Sequence, residues 1–216
     1  MVRVFLAAVL AVLSASPALS GVPVPVLVST PCDSNQVGLP DPSRSTAEIS
    51  GQTQSCQFRF RADGGLDVLA VHVTLRDSFD QPIDACETSV TLHPNAGSLF
   101  CSCNTAAQVG VTAPDGTLHF EFAALGGHGN LSADVTSHCC GDISVASLPV
   151  AYTSPDLDGS CESAPVSATN VLDLGLWASG FPPSSYQQRS DYDCSLTVDI
   201  LDLGVWASGM TVGCQP

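Results

Sequence analysis

Asp191-Tyr-Asp-Cys-Ser-Leu-Thr-Val-Asp-Ile-Leu-Asp202, followed by Leu203-Gly-Val-Trp-Ala-Ser-Gly209, decides how the C-terminal third of the chain is read. Oxygen-bearing side chains stand at positions 1, 3, 5, 7, 9 and 12 of a twelve-residue window: Asp191, Asp193, Ser195, Thr197, Asp199 and Asp202. That spacing lets a loop wrap a hard cation. Ca²⁺ takes about 6–8 oxygens at roughly 2.3–2.6 Å, and position 12 falls on the first turn of a following helix. Position 7 ordinarily gives its backbone carbonyl, so Thr197 does not need its hydroxyl. The window departs from the usual pattern at Ser195, where an acid is common, and at Leu196, where Gly makes the sharp turn.

The stretch is repeated. Val171-Leu-Asp-Leu-Gly-Leu-Trp-Ala-Ser-Gly180 aligns with Ile200-Leu-Asp-Leu-Gly-Val-Trp-Ala-Ser-Gly209, with only the first and sixth positions differing. A tandem repeat implies a paired supersecondary unit. Asp156, Asp158 and Ser160 open a second acidic loop ahead of the first copy, and Asp173 closes it. That loop is longer by six residues around Cys161–Pro165. Two short helices are expected, at Leu172–Ser179 and Leu201–Ser208. Each has an apolar stripe, Leu174/Trp177/Ala178 and Leu203/Trp206/Ala207, with Gly180 and Gly209 as C-caps.

From about Ser154 to Cys214 the chain resembles a type I dockerin, a pair of EF-hand-like calcium-loop-plus-helix repeats found at the C-terminus of secreted bacterial proteins. The resemblance implies Ca²⁺ as cofactor and a cohesin-type domain or surface scaffold as partner. It maps partner contact to loop positions 10 and 11, here the apolar pairs Val171/Leu172 and Ile200/Leu201. Association with polysaccharide breakdown follows by analogy only.

Ahead of this unit the pattern is β. Val71, Val73 and Leu75 alternate with His72, Thr74 and Arg76, and Leu118, Phe120 and Phe122 alternate with His119 and Glu121. Further strands are expected at Val24–Val28, Cys56–Phe60, Ser89–Leu92, Gln108–Val111, Leu131–Val135 and Ile143–Val150. Turns are expected at Asp80-Gln-Pro82, Pro94–Gly97, Pro114–Gly116 and Gly126-Gly-His-Gly129. Short strands at this spacing predict an antiparallel β-sandwich. Val73–Ile83 and Val111–Phe120 are similar to the bacterial Ig-like repeats of invasin-type surface proteins, which implies a spacer or adhesive module without a catalytic set.

The expected organisation is a signal peptide at 1–20, an Ig-like β-sandwich at 21–150 with 21–55 partly loop, and a dockerin-like unit at 151–216 entered through a hinge at Ala151–Pro155. Arg3, the apolar Val4–Leu13 and the small-residue site Ala18-Leu-Ser20 carry the signal-peptide reading and so an extracellular or cell-surface location. No stretch approaches the ~18 apolar residues of a membrane span. All ten cysteines lie beyond residue 20, which predicts disulfides in an oxidising compartment. Expected pairings are Cys32–Cys56 and a bond among Cys161, Cys194 and Cys214, with the adjacent Cys139 and Cys140 going to different partners. Disulfides are preferred over a zinc site built from Cys101, Cys103, Cys139 and Cys140.

The chain has six arginines, no lysine and 21 acids, for a net charge of −15. Nucleic acids and anionic membranes need a basic surface and are therefore poor partners. There is no Gly-x-Ser-x-Gly elbow and no His-Glu-x-x-His. The expectation is a secreted, non-catalytic calcium-binding docking protein. Its alternatives are a structural or adhesive surface protein with the helical unit as an intrachain cap, and a small carbohydrate-binding or hydrolytic domain.

Overall fold

The computed structural model describes residues 38–104, 106–162, 167–181 and 186–214. The expected signal segment, the strand at Val24–Val28 and Cys32 lie outside them. Among the described residues nine strands precede the helices: β1 (Thr46–Ser50), β2 (Phe58–Arg59), β3 (Leu69–Thr74), β4 (Glu87–Pro94), β5 (Leu99–Ser102), β6 (Ala107–Val111), β7 (Thr117–Phe122), β8 (Leu125–Ser137) and β9 (Ile143–Thr153). They form a three-stranded sheet in the order β1-β3-β7. A second sheet runs β2-β9-β8-β4-β6, with β5 also pairing to β8. The fold is thus mainly β with two sheets.

Alternation explains how the sheets meet. Leu69, Val71, Val73, Phe120 and Phe122 of the first sheet share one buried cluster with Val90, Leu92, Leu131, Ala133, Val135, Val150 and Tyr152 of the second. A fully buried side chain of this kind contributes about 1.5–3 kcal/mol, so this shared layer dominates the stability. Apart from Ala70, the outward positions of β1, β3 and β7 are polar, among them Glu48, Ser50, His72, His119 and Glu121.

The segments Val73–Ile83 and Val111–Phe120 interlock. The buried Asp77 carboxylate accepts from the amides of Phe79 (2.8 Å) and Gln81 (2.9 Å), closing the turn after β3. Leu75 N–H donates to the Gly116 carbonyl at 2.9 Å. Gly116 has φ +79°, and a Cβ there would sit 2.5 Å from the Leu75 carbonyl oxygen, so both conformation and space require glycine.

Three expectations are corrected. Gly126–Gly129 is not a turn but the start of β8, because its glycines admit close neighbours. A Cβ on Gly126 would lie 2.2 Å from an Asp156 carboxylate oxygen, and one on Gly127 1.9 Å from the Leu99 carbonyl. Ala151–Pro155 is not a hinge: Ala151–Thr153 ends β9, and Tyr152, Thr153 and Ser154 are buried. The disulfide pairing also differs. Cys56 bonds Cys194, Cys101 bonds Cys161, and Cys103 bonds Cys214. The expected Cys32–Cys56 loop and bonds among Cys161, Cys194 and Cys214 are therefore absent. The physical reason is that each C-terminal cysteine faces the β region and not its own unit.

Cys86–Cys139 completes the bonds between described residues. Cys140 is also disulfide-bonded, and Cys139 is taken by Cys86, so the adjacent pair does go to different partners. These bonds fit an oxidising extracellular compartment. Among the described residues no helix is long and apolar enough to cross a membrane.

Candidate metal centres

Both acidic loops end on a helix, α1 (Val171–Ala178) and α2 (Ile200–Ser208). The helices start within one residue of expectation, and the reason lies in their caps. Asn170 and Asp199 accept from the amides of Leu172 (2.8 Å) and Leu201 (2.7 Å). Asp173 and Asp202 reach back to the amides of Asn170 (2.7 Å) and Asp199 (2.9 Å), completing a capping box at each helix. Each of these acids also sits at the positive end of its helix dipole. At the C-termini Gly209 caps α2 as expected, with right-handed backbone, whereas α1 is capped by Ser179 and not by Gly180. The apolar stripes shift too: Trp177 and Trp206 are buried with Leu157, Tyr192 and Val198, whereas Ala178 and Ala207 are exposed.

The loops share one hydrogen-bond scheme. Ser160 N–H donates to Asp156 Oδ1 (3.1 Å) and Asp158 Oδ1 (2.9 Å), as Ser195 N–H does to Asp191 Oδ1 (3.1 Å) and Asp193 Oδ1 (3.0 Å). The next amide, of Cys161 or Leu196, donates to the second oxygen of Asp156 (3.0 Å) or Asp191 (2.9 Å). Asp173 accepts from Asp158 N–H at 2.9 Å, and Asp202 from Tyr192 N–H at 2.6 Å. Left-handed backbone recurs at equivalent places: Gly159 (φ 66°) matches Cys194 (φ 60°), and Cys161 (φ 47°) matches Leu196 (φ 66°). The sharp turn therefore forms without the usual glycine at the sixth position. The longer first loop departs only after this shared part.

As a result Asp156, Asp158 and Asp173 converge, and so do Asp191, Asp193 and Asp202, with one oxygen of each lying within 4.8 Å of the others. Asp156, Asp173, Asp191 and Asp202 are fully buried. Among the described residues, none of the six is ion-paired with an arginine or histidine. Two unit charges 4.8 Å apart repel by roughly 3 kcal/mol at an effective dielectric of about 20, so a fully ionised triad carries about 10 kcal/mol of repulsion. That rivals the stability of a whole domain, and backbone amides offset only part of it. Protons or a cation must relieve the rest. Burial pushes the Asp156 carboxyl up to about 7, despite the amides of Cys161 and Ser160, and the like charge of Asp173 adds to the rise. Burial likewise raises Asp173 and Asp202.

The remaining expected ligands sit around the triads. Asp199 lies outside the second triad, at its helix cap. The Ser195 hydroxyl bonds the carbonyl (3.1 Å) and hydroxyl (2.9 Å) of Thr197, and the Ser160 hydroxyl bonds Glu162 at 3.0 Å. Three participants escaped sequence reasoning. Glu162 accepts from the Ser160 hydroxyl and from the Asn170 side-chain Nδ2–H (3.2 Å). Asn170 is the first helix's cap, for which Asn170-x-x-Asp173 was the available signal. Tyr186 donates to Asp191 at 2.8 Å; burial, then that bond, pushes its hydroxyl up to about 12. All-oxygen donor sets of this kind fit a hard divalent cation such as Ca²⁺ better than a thiolate- or imidazole-seeking metal.

The surface beside the triads is apolar. Val171 (76% exposed), Leu172 (65%), Ile200 (71%) and Leu201 (63%) project from the two equivalent first turns. A groove of about 560 Å³ lies between the helices, lined by Trp177, Phe181, Val198, Ile200 and Leu203 among others. The unit is also fixed to the sheets. Gln57 donates to the carbonyls of Gln188 (3.0 Å) and Asp191 (2.9 Å), Tyr192 O–H to that of Ser154 (3.2 Å), and Thr153 O–H to that of Arg189 (2.6 Å). No protein-family model matches the chain, and no curated protein is detectably similar to it.

Proposed function

We propose that the chain is an exported, non-catalytic calcium-binding docking protein: an Ig-like β-sandwich carrying a dockerin-like loop-helix pair. Ca²⁺ fills the two carboxylate triads and offsets two of the three negative charges in each. With the loops ordered, the two first turns engage a cohesin-type domain or a comparable surface scaffold, in a setting such as polysaccharide breakdown. The observation that carries this reading is the exposure of Val171/Leu172 and Ile200/Leu201 on matched turns, each beside a triad. Leaving four large aliphatic side chains in water is costly unless a partner covers them. The test is binding of the full, disulfide-intact chain to a panel of immobilised cohesin-type domains, with calcium and with chelator. The expected result is a calcium-dependent complex lost in Leu172→Asp and Leu201→Asp. A calcium-loaded chain that binds none of them, or binds equally well with both substitutions, refutes it.

A second reading has its own support. Three disulfides join the helical unit to the β region, and Gln57 and Tyr192 add buried hydrogen bonds between them. This favours a structural surface protein in which the loop-helix pair caps the sandwich. The same binding experiment separates the two, because a cap binds calcium but no external domain.

A further inference from the structure

The outward face of the three-stranded sheet carries a group of imidazoles and carboxylates on elements separate from both acidic loops. In the strand register Glu48 of β1 lies opposite His72 of β3, and His72 lies opposite His119 of β7. Their strand neighbours Val71, Val73 and Phe120 are buried, so alternation turns all three toward solvent. Side chains directly opposed in this way have Cβ atoms about 4.5–5.5 Å apart.

The two rings lie 4.5 Å apart between centroids, and their Nδ1 atoms face each other at 3.2 Å. Each distal nitrogen is held by an oxygen: His72 Nε2 by Ser50 Oγ and His119 Nε2 by Glu121 Oε1, both at 2.9 Å. An ionised carboxylate only accepts, so His119 donates through Nε2 and its Nδ1 keeps a lone pair. Without an ion, one proton arrangement satisfies every atom. The Ser50 hydroxyl donates to His72, His72 Nδ1–H donates to His119 Nδ1, and His119 donates to Glu121. With a cation between the rings, both Nδ1 atoms become ligands and both Nε2–H groups donate outward. That outward bonding is the usual support of a metal-bound imidazole. Two nitrogens held about 2.0–2.1 Å from one tetrahedral ion are about 3.3 Å apart, close to the separation already present.

The geometry points to a surface site for a borderline divalent transition-metal ion, with His72 and His119 as ligands through Nδ1 and with Ser50 and Glu121 as positioning residues. Imidazole nitrogens select Zn²⁺, Cu²⁺ or Ni²⁺ over Ca²⁺, so this site and the carboxylate triads take different ions.

The test is calorimetric titration of Zn²⁺ into the full, disulfide-intact chain in excess calcium, which occupies any hard-cation sites beforehand. One zinc equivalent is expected. His72→Gln and His119→Gln each weaken binding more than about tenfold, and Glu121→Gln by up to about tenfold. His93→Gln, at another exposed histidine, leaves it unchanged. All four positions are exposed, and circular dichroism verifies folding of each variant. Imidazole nitrogen NMR is the second readout: zinc shifts the Nδ1 resonances of His72 and His119 and leaves Nε2 protonated. Absence of zinc binding, or binding that survives both histidine substitutions, overturns the proposal.

Discussion

Removing calcium should reverse the pH dependence of stability. In the calcium-free protein Asp156 holds its proton up to about 7, whereas in the unfolded chain it releases it near the ordinary value of 3.8. Between those values the folded state binds more protons than the unfolded state, so stability falls as pH rises through the window. A gap of about 3 pH units at roughly 1.4 kcal/mol each sets an upper limit of about 4 kcal/mol for this group. Asp173 and Asp202 are raised too and add to the effect in the same direction. Under the proposed reading calcium acts oppositely: protons compete with the ion, so its stabilisation grows as the carboxylates ionise. A site filled to about 100 times its dissociation constant adds about 2.7 kcal/mol. Urea unfolding at about pH 5 and about pH 7.5, calcium-free and in excess calcium, measures both slopes. The expected result is a calcium-free protein weaker by a few kcal/mol at the higher pH and a calcium-loaded protein that is not. A calcium-free stability that is flat or rises across this interval would refute the reasoning about unrelieved carboxylates.

Other outcomes follow from single contacts. Gly126→Ala pushes a methyl group against Asp156 and Cys101; calorimetry should show loss of the first calcium site alone, and unfolding a cost of about 1–3 kcal/mol. Leu196→Gly relieves a left-handed residue whose side chain is 74% exposed; chemical denaturation should show a gain of about 0.5–1 kcal/mol once the added unfolded-state entropy is subtracted. Replacing both Cys56 and Cys194 by Ser removes a link across 138 residues. Since the other staples shorten the effective loop, the expected cost is about 4 kcal/mol, read from urea midpoints. Tyr192→Phe leaves the Ser154 carbonyl without its buried donor and should cost about 1 kcal/mol by the same assay.

How much of this was legible in sequence depended on whether the deciding forces were local. The alternation of Leu118–Phe122 and Val71–Leu75 placed β7 and most of β3, since half-buried strands have period two. The helices were legible because a repeat and its caps are local features. The short edge strand β1, Thr-Ala-Glu-Ile-Ser, was missed: its apolar positions Ala47 and Ile49 are only partly buried and give a weak signature. β5 was hidden behind the Pro94–Gly97 turn, and its pairing to β8 depends on glycines that the sequence presents as a turn. Asp191, Asp193 and Asp202 followed from loop spacing and Asp156, Asp158 and Asp173 from the repeat; Tyr186 and Glu162 are near in sequence but fit no loop position, and the three staples come together only through the tertiary fold.

The measurement that bears most directly on the central claim is a calorimetric calcium titration of the full, disulfide-intact chain, alongside Asp156→Ala and Asp191→Ala. The account predicts two calcium ions per chain, falling to one in each variant, with the surviving ion bound at the loop left intact. No binding at millimolar calcium, or an unchanged stoichiometry in both variants, would contradict it.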